Sequence, residues 1–147
     1  MSKQEEAGLI LKLYELRREE TMRKARDWFF REFHPQTFAD YNAVMFGEHS
    51  GHVRMVVTYW DMAAAMVNRG VIDLDLFNEC TGEQFGVFAK VEHLLPEIRA
   101  AYGPQFLANF EKLIDETKGG RERVAKMREM MKMIRAQMAT AQTAASR

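Results

Sequence analysis

The sequence predicts an all-α protein, a single-domain bundle of about five to seven helices, and three observations carry that prediction. Apolar residues recur at steps of three and four along most of the chain, while the alternation of a half-buried strand is sustained nowhere. Only three prolines interrupt 147 residues, and a hydrophobic content of 47% is too high for a disordered chain. A chain of this length buries a substantial core without disulfides or metals. The expected division is a bundle over residues 1–120 and a basic, methionine-rich helix with a frayed tail over 121–147, packed on the same domain or on a second copy.

The N-terminal stretch 3–33 contains no proline and is dense in helix formers, so it reads as one long helix. Leu9, Ile10, Leu13, Tyr14 and Leu16 give it an apolar first half. RREETMRKARD in its middle places opposite charges at helical neighbour spacing, the pattern of a solvated face. Met22, Ala25, Phe29 and Phe33 then return an apolar face to the core. Pro35 ends this helix, Thr37–Phe46 forms the next, and Gly47–Gly51 is a loop.

His52–Phe77, HVRMVVTYWDMAAAMVNRGVIDLDLF, is the only segment that reads as apolar on nearly all sides. Val53, Val56, Val57, Trp60, Ala63, Ala64 and Val67 mark its buried stripe, and over 53–67 only Arg54, Thr58 and Asp61 are strongly polar. It is too interrupted by charge to span a membrane. Gly70 closes the helix in a left-handed conformation and Asp73 caps a short helix to Cys80. A further helix begins at Thr81–Glu83 and carries Phe85, Phe88, Val91 or Glu92, Leu95 and Ile98 up to Tyr102. Pro96 inside it either kinks a continuous helix or starts a new one. Gly103–Pro104 opens a helix over about 104–117, broken by Gly119 and Gly120.

The last segment differs in composition. Between Lys118 and Arg135 seven basic residues face two acidic ones. Val124, Met127, Met131, Ile134 and Met138 fall at alternating steps of three and four, the seam of a short coiled coil or of a docked helix. The surrounding cations disfavour a parallel pair. An antiparallel dimer, or docking on Glu15, Glu19 and Glu20, fits better.

Tyr59-Trp60, Asn68-Arg69-Gly70-Val71-Ile72-Asp73 and Phe77, followed by Arg99, Tyr102 and Phe110, together resemble an uncharacterised all-helical family of bacterial proteins, over roughly residues 5–115. The resemblance implies a helical domain without assigned activity. Some members carry a membrane-spanning N-terminal helix that has no counterpart here, and the basic C-terminal helix lies outside the pattern.

Chemistry is hard to find. Phosphate-binding glycine loops, the Glu-x-x-His pairs of di-iron bundles and the G-x-S-x-G elbow are all missing, so no catalytic residues and no cofactor are predicted. His49 and His52, beside Glu48, are spaced to share a metal, but a zinc site needs three or four ligands, and loop or cap roles fit them better. Asp61 fits an ion pair with Arg54, Arg69 or Arg99 better than a functional carboxylate, because a buried charge must be compensated. Trp60 and Tyr59 read as core before cavity lining. Cys80, the single cysteine, has no electropositive neighbour in sequence and reads as buried or half-buried. With no signal peptide at MSKQEEAGLI, the cytoplasm is the expected compartment. Zero net charge removes any global attraction to polyanions. The leading functional expectation is a non-enzymatic interaction or scaffold protein that forms a homodimer or docks a protein partner through its C-terminal helix. The alternative is a module binding nucleic acid or acidic lipid through residues 118–135. A third is a small-molecule or metal-binding bundle with Asp61, Trp60, or His49 and His52 together, at its site.

Overall fold

A computed structural model describes residues 1–147 and contains helices and no strands. Nine α-helices are present, more than the five to seven expected: α1 (Lys3–Arg18), α2 (Glu20–Glu32), α3 (Phe38–Met45), α4 (Ser50–Asn68), α5 (Leu74–Cys80), α6 (Glu83–Val91), α7 (Leu95–Tyr102), α8 (Ala108–Glu116) and α9 (Gly120–Ala145). A 3-10 turn, Glu92–Leu94, separates α6 from α7. The higher count has local causes.

The single long N-terminal helix is corrected to two. Glu19 leaves the helical region with ψ 145°, and its carboxylate accepts from the Met22 amide to cap α2. A charged run that read as a solvated face therefore conceals a helix boundary. Arg26 holds the new corner, donating to the Arg17 carbonyl at 3.3 Å and, bidentately, to Glu83 at the start of α6. Pro96 starts a helix rather than kinking one, since it sits in the first turn of α7. The helix expected from 104 begins only at Ala108, because Gly103 and Leu107 both take positive φ, 120° and 54°.

Leu107 cannot cap α8 with its own side chain. Asp61, projecting from α4, does so from outside: its carboxylate accepts from the Phe110 amide at 2.9 Å and from Asn109 Nδ2 at 3.4 Å. The expected ion pair of Asp61 with an arginine is therefore overturned, and Arg99 turns to Glu111 at 2.8 Å instead. Orphan amides at a helix start are compensation enough for a carboxylate. Gly70, at φ 77°, and Asp73, accepting from the Leu76 amide, end α4 and begin α5 as expected.

α4 packs against α2 and α8, and its stripe Val53, Val56, Val57, Trp60, Ala63, Ala64 and Val67 is buried. Yet α4 is not the most enclosed element, for it leaves Arg54, Met55, Thr58 and Met62 exposed. That place belongs to α6, in which every residue from Gln84 to Val91 is buried. α6 touches α4 and α8 on one side and is covered on the other by α9. Gln84 and Lys90 masked this in the sequence. Gln84 Nε2 donates to Asn78 Oδ1 at 3.1 Å and to the Thr81 carbonyl at 3.3 Å, while its buried Oε1 has no partner.

Two substitutions test this packing. Trp60 is 2% exposed, edge-on to Phe77 and Tyr59, and Trp60→Ala should cost about 3–5 kcal/mol in chemical denaturation. A midpoint unchanged from wild type would place Trp60 outside the core. At Gly120, where α8 turns into α9, an added Cβ would fall within the Ile114 carbonyl. Gly120→Ala should therefore destabilise the chain, whereas Gly8→Ala, where nothing lies nearby, should not. Equal melting temperatures for the two variants would contradict the tight α8–α9 joint.

Candidate functional site

The C-terminal helix is the element to which the sequence assigned function, and it has two halves. Its first half runs along α6 in the same direction. Arg123 lies 4.0 Å over the Phe85 ring, Met127 fits against Gly86, and Arg128 donates to the Ala89 carbonyl at 3.1 Å. Val124 is fully buried and Met127 and Met131 pack on the core, while Ile134 and Met138 are 48% and 49% exposed. The seam is thus split: its first three residues lie on their own domain and its last two project beyond it. Helix continues to Ala145, although the tail was expected to fray from Ala139. Met130 and Met133 add to the exposed apolar surface of the distal half. Between this half and the last turns of α2 lies an open groove of about 610 Å3, with Phe30, Ile134 and Met138 on its apolar walls and Asp27, Glu32 and Arg135 among its charges. α9 rests on α6 rather than on Glu15, Glu19 and Glu20.

The basic run is partly consumed within the domain. Arg121 meets Asp115 at 2.6 Å, Glu92 at 2.8 Å and Glu111 at 2.9 Å, and Arg128 meets Glu92 at 2.6 Å. These contacts tie α8 and the 3-10 turn to α9. They hold Arg121 in its charged form and lower the acidity range of Glu111, whose carboxylate accepts from Arg121 and Arg99 against the opposing cost of its burial. Lys118, Lys126, Lys132 and Arg135 remain as the outward charge of the run.

A second feature went unread in the sequence. Lys90, near the end of α6, is 7% exposed. Its ammonium donates to the Phe33 carbonyl at 2.7 Å and to His34 Nδ1 at 3.0 Å, with the Phe30 carbonyl at 3.4 Å. It thereby caps the C-terminus of α2 from a neighbouring helix. His34 Nε2 lies 2.8 Å from the Arg31 carbonyl, which makes Nε2 the protonated nitrogen and leaves Nδ1 to accept from Lys90. Burial, with Arg135 nearby, pushes Lys90 down from 10.5 to about 7, and burial followed by Lys90 itself lowers His34. Above Lys90 opens a cavity of about 260 Å3, bordered by His34, His93, Arg128, Lys132 and Arg135. The available signal was a lone lysine in the apolar run FGVFAKV.

The remaining candidates lie elsewhere. His49 and His52 lean on Trp28, with ring centroids 4.5 and 5.8 Å away, and no three His, Cys, Asp or Glu residues are placed to hold one metal ion. Trp60 is core, and Tyr59 donates its hydroxyl to the Leu13 carbonyl at 2.6 Å. Cys80 is exposed, contrary to the buried or half-buried position expected, because it ends α5 where the chain leaves the core for the α6 cap. These residues do not converge on one site.

Lys90 imposes a pH dependence. Its folded value lies below its unfolded one, so between about pH 7 and 10 the unfolded chain binds the proton that the folded chain lacks, and stability rises with pH. His34 acts in the same sense below pH 6.5. The charges around Lys90 that could blur the slope are Arg128, Lys132 and Arg135 of α9, with His93 on the 3-10 turn and Glu92 held by Arg128 and Arg121. Above about pH 10 the sign reverses, since burial pushes Tyr41 and Tyr59 up to about 12. Lys90→Met should flatten the rise between pH 7 and 10 in urea titrations, whatever its effect on absolute stability. An unchanged slope would show that Lys90 titrates normally.

No curated protein and no solved structure was found to match this chain. No helix is long and apolar enough to cross a membrane. The model of a family described as a domain of unknown function, DUF4760, matches residues 4–117, a span that covers α1 to α8 and stops short of α9. This agrees with the likeness read from the helix end and core residues of the sequence, and by this match over most of its length the chain belongs to the DUF4760 family.

Proposed function

We propose that the protein is a helical interaction module that self-associates through the distal half of α9. The supporting observation is that the apolar face with which α9 covers α6 does not stop where α6 stops. Val124, Met127 and Met131 find partners in their own domain, and Ile134 and Met138 continue the same face into solvent. An exposed apolar stripe on a projecting helix costs solubility unless something covers it. Methionine's flexible thioether suits a surface that is alternately covered and bare.

The occupant that fits is a second copy of this chain. The groove beside the distal half has Asp27, Arg31 and Glu32 on its α2 wall, with Asp27 paired to Arg31 at 2.9 Å and Glu32 left without a cation, and the distal helix carries Lys132 and Arg135. A two-fold antiparallel pairing brings the cations of each α9 to the acids of the other, and the same operation lays each Ile134–Met138 face on its partner's. A parallel pairing would stack like charges. The other reading, attraction to nucleic acid or acidic lipid, has less support, since Arg121 and Arg128 are committed to carboxylates and Arg123 lies on Phe85.

Sedimentation at micromolar concentration should find a substantial dimer fraction, and Ile134→Asp with Met138→Asp should give a folded monomer. Met131 is unsuitable for the test because it packs on its own domain. A wild-type chain that stays monomeric at every concentration, or a double variant that still dimerises, would refute the reading. Binding of duplex DNA or anionic vesicles that falls with salt and survives the double substitution would favour the anionic-surface alternative.

A further inference from the structure

We propose that the cavity over Lys90, between the end of α2, the end of α6 and the middle of α9, is a binding site for a small ligand of the phosphate class. Six basic side chains converge there from separate parts of the chain. His34 follows α2, Lys90 belongs to α6, His93 to the 3-10 turn, and Arg128, Lys132 and Arg135 to α9. No carboxylate borders the cavity.

The nearby acids neutralise only part of this charge. Glu92 accepts from Arg128 at 2.6 Å but is shared with Arg121 at 2.8 Å, and Lys132 has only the exposed Glu129 at 3.4 Å. Arg135 has no acidic partner. Lys90 gives its protons to neutral acceptors, two carbonyls and an imidazole nitrogen. A concave site lined by one sign of charge concentrates counter-ions, and walls that exclude water strengthen the effect. Arg128, Lys132 and Arg135 supply the standing charge from one face of α9, and Lys90, His34 and His93 bring ionisable groups from three other parts of the chain.

The chemistry of the wall selects the class. Its apolar part is confined to Pro35, Ala89 and Met131, and about 260 Å3 leaves room for a compact polar ligand. The Arg135 guanidinium, which has no acidic partner, offers a fork that binds paired oxygens bidentately, and Arg128, whose Nε and Nη2 are held by the Ala89 carbonyl and Glu92, retains Nη1. A phosphate monoester carries a charge of about −1.5 to −2 near pH 7 and three strong acceptor oxygens, a closer match to several convergent cations than one carboxylate. The bound dianion would favour the ammonium form of Lys90, so that binding takes up a proton at pH 7.5 to 8. The site shares Lys132 and Arg135 with the self-association proposed above, so phosphate is also titrated into the Ile134→Asp with Met138→Asp chain, where binding at least as tight as in the wild type is expected.

The test is calorimetric titration of the full chain with inorganic phosphate and with glycerol 3-phosphate, at constant ionic strength and pH 7.5. Two buffers of different ionisation enthalpy are used, and the His34 and His93 ring resonances are followed in parallel. The expected result is one saturable site per chain, proton uptake on binding, shifts of both rings, and at least ~10-fold weaker binding in Lys132→Gln with Arg135→Gln, two exposed positions whose exchange leaves the core intact. Tighter binding of the ester than of the free ion identifies a phosphorylated small molecule, and the reverse identifies inorganic phosphate; either supports the site. Heats matched by chloride, affinity unchanged in the double variant, unmoved histidine rings, or citrate binding as tightly as phosphate would each overturn it. So would binding of duplex DNA or phosphatidylserine vesicles without binding of either small phosphate.

Discussion

The enclosure of α6 is the constraint on which the rest of the structure depends. A nine-residue helix whose residues Gln84 to Val91 are all buried cannot be stable with one flank bare, and that flank is covered by α9. The demand fixes the sharp joint at Gly120, where a side chain would strike the Ile114 carbonyl, and it fixes the direction of α9 along α6. It also explains Arg121 and Arg128, whose carboxylate partners lie on α8 and the 3-10 turn and clamp the covering helix in register. Removing water from Lys90 is part of the same closure. The ammonium is tolerated there because the open carbonyls at the end of α2 and the imidazole of His34 accept its protons.

Helical class and most of the core were legible in the sequence because both follow from periodicity. The stripe of α4, the capping of α5 by Asp73 and the left-handed Gly70 depend only on neighbours within a few residues, and all of them stand. What was not legible depends on distant partners. Asp61 looked like half of an ion pair because nothing near it in sequence announces that Leu107 will leave α8 uncapped 46 residues later. The break at Glu19 lies within a run of helix-forming residues and was hidden by it. α6 was underrated because Gln84 and Lys90 interrupt its apolar run, when the Lys90 ammonium and the Gln84 Nε2 both find acceptors inside.

The candidate site divides in the same way. The seam of α9 was visible as spacing, but spacing is identical whether a helix packs on its own domain or on another, and the structure divides the five residues between the two conditions. Beyond the lone lysine of FGVFAKV the cavity over Lys90 left no mark in the sequence, since its basic residues stand at positions 34, 90, 93 and 128–135 and meet only through the packing of α2, α6 and α9. Membership of a family of unknown function, matched over residues 4–117, leaves chemistry and geometry to carry the functional reading. Both point to α9: its first half completes a fold and borders a basic cavity, and its second half extends the apolar face outward.

That division of labour within one 26-residue helix is the central claim. Amide hydrogen exchange of the intact chain, followed residue by residue at two protein concentrations well apart, measures it most directly. The account predicts that Val124–Met131 exchange as slowly as α6 at both concentrations, because they open only when the domain opens, while 133–145 exchange fast when dilute and slow markedly when concentrated. Fast exchange along the whole of α9, or protection of its distal half that does not change with concentration, would contradict it.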